Sequence, residues 1–305
     1  MNRQLAGTAL VAVAAAGWGT WALFLRGHGL PAVWQSVMIL STIAVAWLPA
    51  ALAASRKRER RAPVAWALLV SCAVTDAGNY ICYFGALDRG PIALAVLTHY
   101  IAPVVVALLA PMLLREPLTR TTAIALVVSL CGLGLLVGGA AEGSSTTAAL
   151  GAASALFYGL NTVFTKKVLG TVEPGDTKAG LRPGHHVSDT FASSELLSYH
   201  CFLAAGMVAL FAKTAPPASA FLWSPIAGAL LLGACGAAIF YVGLRRIPAN
   251  RAAILTYLEP LVAAMVGFWF FAEPLGASAL LGGALIVAAG AAVAFSRGPA
   301  LEDSR

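Results

Sequence analysis

Long runs of apolar residues dominate the chain, and short stretches with proline, glycine or charged residues separate them. Most runs are about 20 residues long, the length that an α-helix needs to cross the hydrocarbon layer of a bilayer. Prolines fall near the ends of the runs, where a helix tolerates them. The pattern predicts ten transmembrane helices, which we call spans 1 to 10, at residues 5–25, 32–54, 63–87, 91–114, 119–139, 146–166, 191–212, 224–244, 248–271 and 276–296.

Composition supports a membrane protein. Only 11% of the residues are charged, against about a quarter in a typical soluble domain, and the mean hydropathy is +0.82. The net charge of +7 would suit a nucleic-acid partner, but the basic residues lie in short loops at helix ends, where they set membrane topology. We therefore predict contact with membrane lipids and no nucleic-acid partner. The five cysteines lie inside apolar runs without metal-ligand or disulfide spacing, so the sequence predicts no metal site and no cofactor.

The distribution of basic residues predicts an orientation. With the N-terminus inside, 17 of the 20 Lys and Arg residues fall on the cytoplasmic side, as the positive-inside rule requires. The chain is thus predicted to be a multi-pass protein of the inner membrane with both termini in the cytoplasm. Residues 168–190 form the one long loop and are predicted to be a cytoplasmic connector, and residues 297–305 a cytoplasmic tail.

An internal repeat is the most informative feature of the sequence. Residues 83–118 align without gaps to residues 240–275, an offset of 157 positions, and 11 positions are identical. A weaker match at an offset of 140 positions pairs spans 1 and 6. The first match pairs Arg89/Arg246, Pro91/Pro248, Tyr100/Tyr257, Pro103/Pro260 and Glu116/Glu273, and the second pairs Trp18/Tyr158, Gly19/Gly159, Phe24/Phe164 and Arg26/Lys166.

The number of spans in each half fixes their relative direction. Each half has five spans, an odd number, so the halves cross the membrane in opposite directions. The predicted fold is an all-α membrane protein of two inverted five-helix repeats: residues 1–139 form the first repeat, 140–167 the first helix of the second, and 191–296 its remaining helices. Inverted repeats are typical of secondary transporters that work by alternating access. Duplication without transport, as in a membrane enzyme or scaffold, is the alternative.

Two motifs occur once in each half. One is an aromatic-Gly pair, Trp18-Gly19 and Tyr158-Gly159, and the other is a proline-centred span that ends in Glu-Pro-Leu. In these motifs, their order and the number of spans, nearly the whole chain resembles the EamA-type permeases of the drug/metabolite transporter superfamily. The resemblance implies an exporter of amino acids, other metabolites or drugs, with a central cavity lined by spans 1, 3, 4, 6, 8 and 9. Asp76 and His99 match no general family motif, and the 168–190 connector is long for the family, so the resemblance does not specify the substrate.

Span 3 carries a polar face. Asp76, Asn79, Tyr80 and Tyr83 recur at i, i+3, i+4 and i+7, so they share one side of a helix. Ionisable residues within a membrane are costly and face the bundle interior or a cavity. We expect this face to bind substrate. A polar contact satisfied between helices is the alternative.

Prolines near the middle of spans 4 and 9 predict kinks. A proline leaves the carbonyl of the residue four positions earlier without its helical hydrogen bond, so Pro103 and Pro260 are expected to free the carbonyls of His99 and Thr256. Such carbonyls at mid-membrane lie beside protein or a water-filled cavity. We therefore assign His99, Thr256 and Tyr257 to substrate binding, with kinks that only shape the packing as the alternative.

Glu259 lies at the same depth as Pro260. A carboxylate there either pairs with another group or is protonated, which makes Glu259, and after it Asp76, the candidates for proton coupling. The match between spans 1 and 6 predicts four further cavity residues, Trp18, Trp21, Tyr158 and Asn161. Their aromatic rings would suit an amphipathic solute or, by cation–π contact, a cation.

Spans 5 and 10 are apolar and rich in glycine. Because small residues let helices approach closely, we expect these spans to brace the bundle or to mediate a homodimer.

The sequence contains no P-loop and no nucleophile elbow, so neither an ATP-driven pump nor an enzyme is predicted. The leading hypothesis is a secondary exporter of small organic metabolites. The alternatives are an uncoupled facilitator of the same fold and a membrane enzyme or scaffold that handles lipid-linked substrates.

Overall fold

A computed structural model describes residues 3–56, 63–138, 145–170, 191–218 and 222–296. Most of the predicted connector, residues 171–190, and the predicted tail, 297–305, lie outside the described residues. Within the described ranges, the regular secondary structure is entirely helical.

The helices follow the predicted spans. In the first half they are α1 (Arg3–Trp18) and α2 (Ala22–Leu25) in span 1, α3 (Ala32–Ser55), α4 (Pro63–Leu87), α5 (Ile92–His99) and α6 (Ala102–Leu113) in span 4, and α7 (Arg120–Val137). In the second half they are α8 (Ser145–Leu169), α9 (Ser193–Ala209), α10 (Trp223–Gly228), a π-helical segment (Ala229–Cys235) and α11 (Gly236–Leu244) in span 8, α12 (Ala249–Leu255) and α13 (Leu258–Phe271) in span 9, and α14 (Ala277–Phe295).

The predicted ten-helix membrane fold is confirmed. Nine helical stretches among the described residues are long and apolar enough to cross a bilayer. The remaining predicted span is α9, which has 17 residues and therefore extends about 25 Å.

Spans 4 and 9 break at equivalent places. The breaks lie between α5 and α6 and between α12 and α13, where the N–H groups of Ile101 and Tyr257 bond to carbonyls three residues back instead of four. Pro103 and Pro260 lie in the first turn of the helix that follows, a position that proline favours because no helical donor is lost there. The predicted mid-helix kinks are thus complete breaks, and each begins before its proline.

Glycine contacts reproduce the internal repeat in three dimensions. A Cβ atom on Gly159 would lie 2.7 Å from the Cβ of Val105 and 3.3 Å from the carbonyl oxygen of Ala102. A Cβ atom on Gly19 would lie 2.6 Å from the Cβ of Val262 and 2.5 Å from the carbonyl oxygen of Glu259. Residues 102 and 105 align with 259 and 262 at the offset of 157. Span 6 therefore packs on span 4 as span 1 packs on span 9.

The remaining helix contacts have the same two-fold pattern. Helix α4 packs on α8, and their counterparts α11 and α1 pack on each other in the same way. Helix α3 also packs on its own counterpart α9, and α7 packs on its counterpart α14. In the last pair, a Cβ on Gly132 would approach the carbonyl of Gly282 to 2.7 Å. Spans 5 and 10 thus brace the bundle within one chain, as their small residues predicted.

The π-helical segment of span 8 has carbonyls that accept from two tryptophans. The indole N–H of Trp18 donates to the Leu232 carbonyl at 2.9 Å, and that of Trp47 donates to the Ala234 carbonyl at 3.0 Å. A π-helical turn disturbs the regular hydrogen-bond ladder, and these side chains bond to the displaced carbonyls. The segment therefore ties span 8 to spans 1 and 2.

Candidate functional site

Three tyrosine rings pack around His99 where the two halves meet, and a fourth tyrosine packs against one of them. The ring centre of His99 lies 4.4 Å from that of Tyr83, 5.0 Å from that of Tyr100 and 5.4 Å from that of Tyr158. Tyr100 in turn lies 6.2 Å from Tyr257. We call these five residues the central aromatic cluster. It combines side chains from spans 3, 4, 6 and 9, as the predicted site requires.

A chain of hydrogen bonds fixes the His99 ring. The Ser154 hydroxyl donates to the Asn79 side-chain oxygen at 2.8 Å, and it lies 2.7 Å from His99 Nδ1. The single hydroxyl proton of Ser154 is used in the bond to Asn79, so the serine oxygen accepts a hydrogen bond from the Nδ1–H of His99. The other ring nitrogen, Nε2, then carries the lone pair. Asn79 is thereby positioned by spans 4 and 6, and His99 presents an acceptor nitrogen.

Glu259 lies beside the central aromatic cluster, in the first turn of α13. The positive end of a helix dipole stabilises a carboxylate there. Tyr100, Tyr83 and Tyr158 lie close enough to the carboxylate to interact with its charge. The structure therefore brings Glu259 to the predicted residues of spans 3, 4 and 6.

Asp76 contacts a residue that the sequence analysis did not select. One of its carboxylate oxygens, Oδ2, lies 3.3 Å from Nε2 of His200 on α9, and the Asp76 side chain is 17% exposed. Asp76 is also close enough to Tyr80 and Tyr158 to interact with them electrostatically. It therefore lies between the aromatic cluster and span 7.

The other predicted cavity residues make contacts of different kinds. Trp18 packs against Phe240 with ring centres 5.1 Å apart, and Trp21 packs against the apolar core of the bundle. Asn161 donates to the carbonyl of Cys72 at 2.9 Å. Thr256 is 1% exposed, and its hydroxyl donates to the Ala253 carbonyl. The prediction that Pro260 frees the Thr256 carbonyl is wrong, because that carbonyl accepts from the Glu259 N–H at 3.0 Å. The structure thus joins Tyr83, His99 and Tyr158 directly and places Trp18, Asn161 and Thr256 in helix contacts around them.

Comparison with known proteins establishes the family. The sequence model of the EamA-like transporter family matches residues 5–138 and 184–295. This chain belongs to the EamA-like transporter family. A curated relative from Archaeoglobus fulgidus, an uncharacterized transporter, is 29% identical over 283 residues, which cover 92% of this chain and 94% of the relative. A solved crystal structure of a protein that is 20% identical superposes with a TM-score of 0.75 and covers 94% of this chain and 96% of that one, which confirms the fold.

Two equivalent ion pairs lie at the two ends of this EamA-family transporter. Lys166 Nζ lies 2.7 Å from the Glu116 carboxylate, and Arg26 Nη1 lies 2.6 Å from that of Glu273. Both the basic and the acidic residues are counterparts in the internal repeat. Glu116 accepts a hydrogen bond from Ala249 at the start of span 9, whereas Glu273 follows the end of span 9, so the pairs lie at opposite ends of the bundle.

The ion pairs differ in burial. Lys166 is 2% exposed and Glu116 14%, and Lys166 also donates to the carbonyl of Ile247. Arg26 and Glu273 are 51% and 54% exposed, with the guanidinium lying over the Phe271 ring. The bundle therefore covers the ion pair at its Glu116 end and leaves the ion pair at its Glu273 end exposed.

Two apolar grooves lie on the outer surface of the bundle. One, of about 470 Å³, lies between α3, α4 and α9, and the other, of about 580 Å³, lies between α2, α3 and span 8. Neither of these grooves is lined by Asp76, His99 or Glu259.

Proposed function

We propose that this EamA-family transporter is a secondary exporter of small organic metabolites in the inner membrane, and that it works by alternating access with both termini in the cytoplasm. One observation carries the proposal. Gly19 and Gly159 contact aligned residues of the opposite half, and the two ion pairs are aligned as well. Because equivalent contacts exist at both ends, each half can take the conformation of the other, which is the requirement of alternating access in inverted repeats.

The direction of opening follows from the ion pairs. The Lys166–Glu116 pair is buried and the Arg26–Glu273 pair is exposed. An exposed pair contributes about 0–1 kcal/mol, whereas separating buried partners costs about 3–5 kcal/mol. The Glu273 end, periplasmic by the predicted orientation, therefore opens more readily, which suits the release of an exported solute.

The central aromatic cluster and Glu259 suggest the substrate class. Tyrosine rings provide apolar faces and attract cations, and a carboxylate beside them accepts hydrogen bonds from an ammonium group. These groups would bind a small molecule with an amino group and an apolar or aromatic body, such as an amino acid or an amphipathic amine. Asp76, Asn79 and Tyr80 would contact the substrate from span 3.

Glu259 is the proposed site of the coupled proton. Its carboxylate lies at a helix start in the middle of the membrane, close to Tyr100. Binding of an ammonium group and binding of a proton at one carboxylate exclude each other, so exchange of the two couples their movements. Asp76 is the less suitable carrier because His200 lies against it.

A counterflow assay tests the proposal. The purified protein is placed in liposomes preloaded with one of a panel of amino acids or amphipathic amines, and uptake of the labelled compound from outside is measured. Saturable counterflow of an amine-bearing compound, together with its accumulation under an imposed proton gradient, is the expected result. Counterflow that is insensitive to the gradient would instead indicate the uncoupled facilitator. If folded protein gives no saturable counterflow with any compound of the panel, the proposed substrate class is wrong.

A further inference from the structure

Three potential metal ligands converge between spans 3 and 7. Asp76 on α4 and the neighbouring His200 and Cys201 on α9 each direct one ligand atom to a common point, and these atoms all lie within 4.8 Å of one another. Both residues of α9 are 3% exposed. This group could not be inferred from the sequence, because Asp76 is separated by more than a hundred residues from the adjacent His200 and Cys201, without any metal-ligand spacing.

The state of His200 follows from its hydrogen bond. Nδ1 contacts the carbonyl oxygen of Leu196, one turn earlier on α9. A carbonyl only accepts, so Nδ1 carries the proton and, in the neutral imidazole, Nε2 has a free lone pair. That nitrogen lies 3.3 Å from Asp76 Oδ2, and Cys201 Sγ lies beside the ring, 3.5 Å from Nε2 and 3.9 Å from Nδ1.

The separation of histidine and carboxylate matches tetrahedral coordination. A zinc-like ion with N and O ligands at about 2.05 Å holds N and O about 3.3 Å apart. The observed distance from His200 Nε2 to the Asp76 oxygen is 3.3 Å, and the Cys201 sulfur, 3.5 Å from Nε2 and 3.9 Å from Nδ1, would join the same ion after rotation of its side chain. A direct bond between a charged histidine and a carboxylate is shorter, about 2.7–2.9 Å. The carboxylate is therefore at the distance of a second ligand.

The type of ligand selects the type of ion. A thiolate and an imidazole favour zinc and its neighbours over magnesium or calcium, which prefer oxygen ligands only. The Leu196 carbonyl supplies the outer hydrogen bond that orients metal-bound histidines. We propose that Asp76, His200 and Cys201 bind one divalent transition metal ion of the zinc type, with the fourth position open on the partly exposed side of Asp76.

The location of the site gives the ion a structural effect. Helix α4 belongs to the first repeat and α9 to the second, so a bound ion would link the two halves near the middle of the bundle. An open fourth position, as in catalytic zinc sites, would also accept a carboxylate or amine of a solute. Neither effect depends on the direction or the coupling of transport.

Cobalt binding tests the site directly. The full-length protein in detergent is stripped with a chelator and titrated with Co²⁺, whose bond to a thiolate gives a charge-transfer band in the near ultraviolet. We expect one Co²⁺ per chain, this band, and displacement by one equivalent of Zn²⁺. Cys201→Ser should abolish the band, and His200→Gln and Asp76→Asn should each weaken binding at least tenfold. Zn²⁺ should raise the melting temperature of the wild type but not of these variants.

Matched substitutions are available as controls. His99→Gln removes another buried mid-membrane histidine, and Cys82→Ser removes a different cysteine, in span 3; both should retain the band and the stoichiometry. The near-isosteric Cys201→Ser keeps the test valid if His200→Gln fails to fold. Failure of the wild type to bind Co²⁺ would show that Asp76 and His200 form an ion pair without metal. A band that persists in Cys201→Ser would show that another cysteine binds the ion. Either result would make the proposal wrong.

Discussion

The hydroxyl group of Tyr257 donates a hydrogen bond of 2.9 Å to the backbone carbonyl of Tyr100, its own counterpart in the other half. Two equivalent residues of a two-fold arrangement can touch only near the axis that relates them, so this bond lies near the axis between the repeats. The break in span 4 disturbs the regular helical bonding around Tyr100, and Tyr257 uses that carbonyl. The two broken spans are thus joined near the axis that relates the two halves.

Removal of this hydroxyl should destabilise the bundle. Tyr257→Phe leaves the ring but not the donor, so the Tyr100 carbonyl loses its partner, and Tyr257 is fully buried. Hydrogen bonds between membrane helices contribute about 0.6–2 kcal/mol. We expect the free energy of unfolding to fall by an amount of that order, which is measured as a lower melting temperature in detergent. Tyr100→Phe is the comparison variant, because it removes only the hydroxyl near Glu259 and leaves the carbonyl bond intact, so the two contributions can be separated. Equal melting temperatures of Tyr257→Phe and the wild type would contradict the role of this bond.

The glycine contacts predict a matched pair of effects. Gly19→Ala and Gly159→Ala each place a methyl group within 3 Å of an atom on the facing broken span, and such overpacking costs about 1–3 kcal/mol. Both variants should melt at lower temperature and transport more slowly. Gly134→Ala is the control, since a Cβ there has nothing within 4 Å and alanine favours the helix. The equivalence of the contacts would be disproved if only one of the two were sensitive.

The ion pairs should respond unequally to loss of the acidic charge. Glu116→Gln keeps an acceptor for the Ala249 N–H but leaves the buried Lys166 without its counter-charge, which costs about 3–5 kcal/mol. Glu273→Gln should cost about 0–1 kcal/mol, because that pair is exposed. Thermal or denaturant unfolding measures both. Adding Lys166→Met to Glu116→Gln should restore much of the stability. If the double variant is no more stable than Glu116→Gln, an uncompensated lysine charge is not the cause.

The proposed proton carrier has a specific kinetic signature. Glu259→Gln preserves the shape of the side chain but cannot exchange a proton at neutral pH, so gradient-driven transport should be lost while exchange of substrate for substrate continues. Both rates are measured in the same proteoliposomes, with and without a proton gradient. Asp76→Asn should mainly weaken substrate binding. Wild-type gradient-driven flux in both variants would remove the proposed roles of these carboxylates.

The predicted orientation can be tested at two exposed lysines. In a cysteine-free background, Lys213→Cys should react with an impermeant maleimide added to intact cells, and Lys167→Cys only after the cells are permeabilised. Both side chains are exposed in the structure, so access to each is limited by the membrane alone. The opposite labelling pattern would place the Lys166–Glu116 end outside and reverse the direction of opening proposed above.

The helices and their repeat could be read from the sequence because both depend on properties of continuous segments. Span length follows from runs of apolar residues, and the repeat follows from the gapless alignment of residues 83–118 with 240–275. The break positions were less accessible. A proline indicates where a helical bond is lost, but the structure moves the break upstream so that Pro103 and Pro260 occupy first turns.

Contacts between distant spans are the part that the sequence did not supply. The rotation of one helix against another depends on the packing of the whole bundle, so neither the Asp76–His200 contact nor the Lys166–Glu116 pair could be derived. Signals for both were nevertheless present. His200 is a mid-span ionisable residue of the kind that drew attention to Asp76. The repeat also aligned Arg26 with Lys166 and Glu116 with Glu273, so each half has one basic and one acidic residue at equivalent positions.

The unequal burial of the two ion pairs makes the resting state sensitive to salt on one face only. Counter-ions screen charges within about 8 Å at physiological ionic strength, and they reach the exposed Arg26–Glu273 pair but not the buried Lys166–Glu116 pair. In the predicted orientation the screened pair faces the surroundings of the cell, whose salinity varies, and the protected pair faces the regulated interior. Saline surroundings would therefore weaken the Arg26–Glu273 pair without weakening the Lys166–Glu116 pair. The permeability barrier of the cell would thus be preserved under osmotic stress.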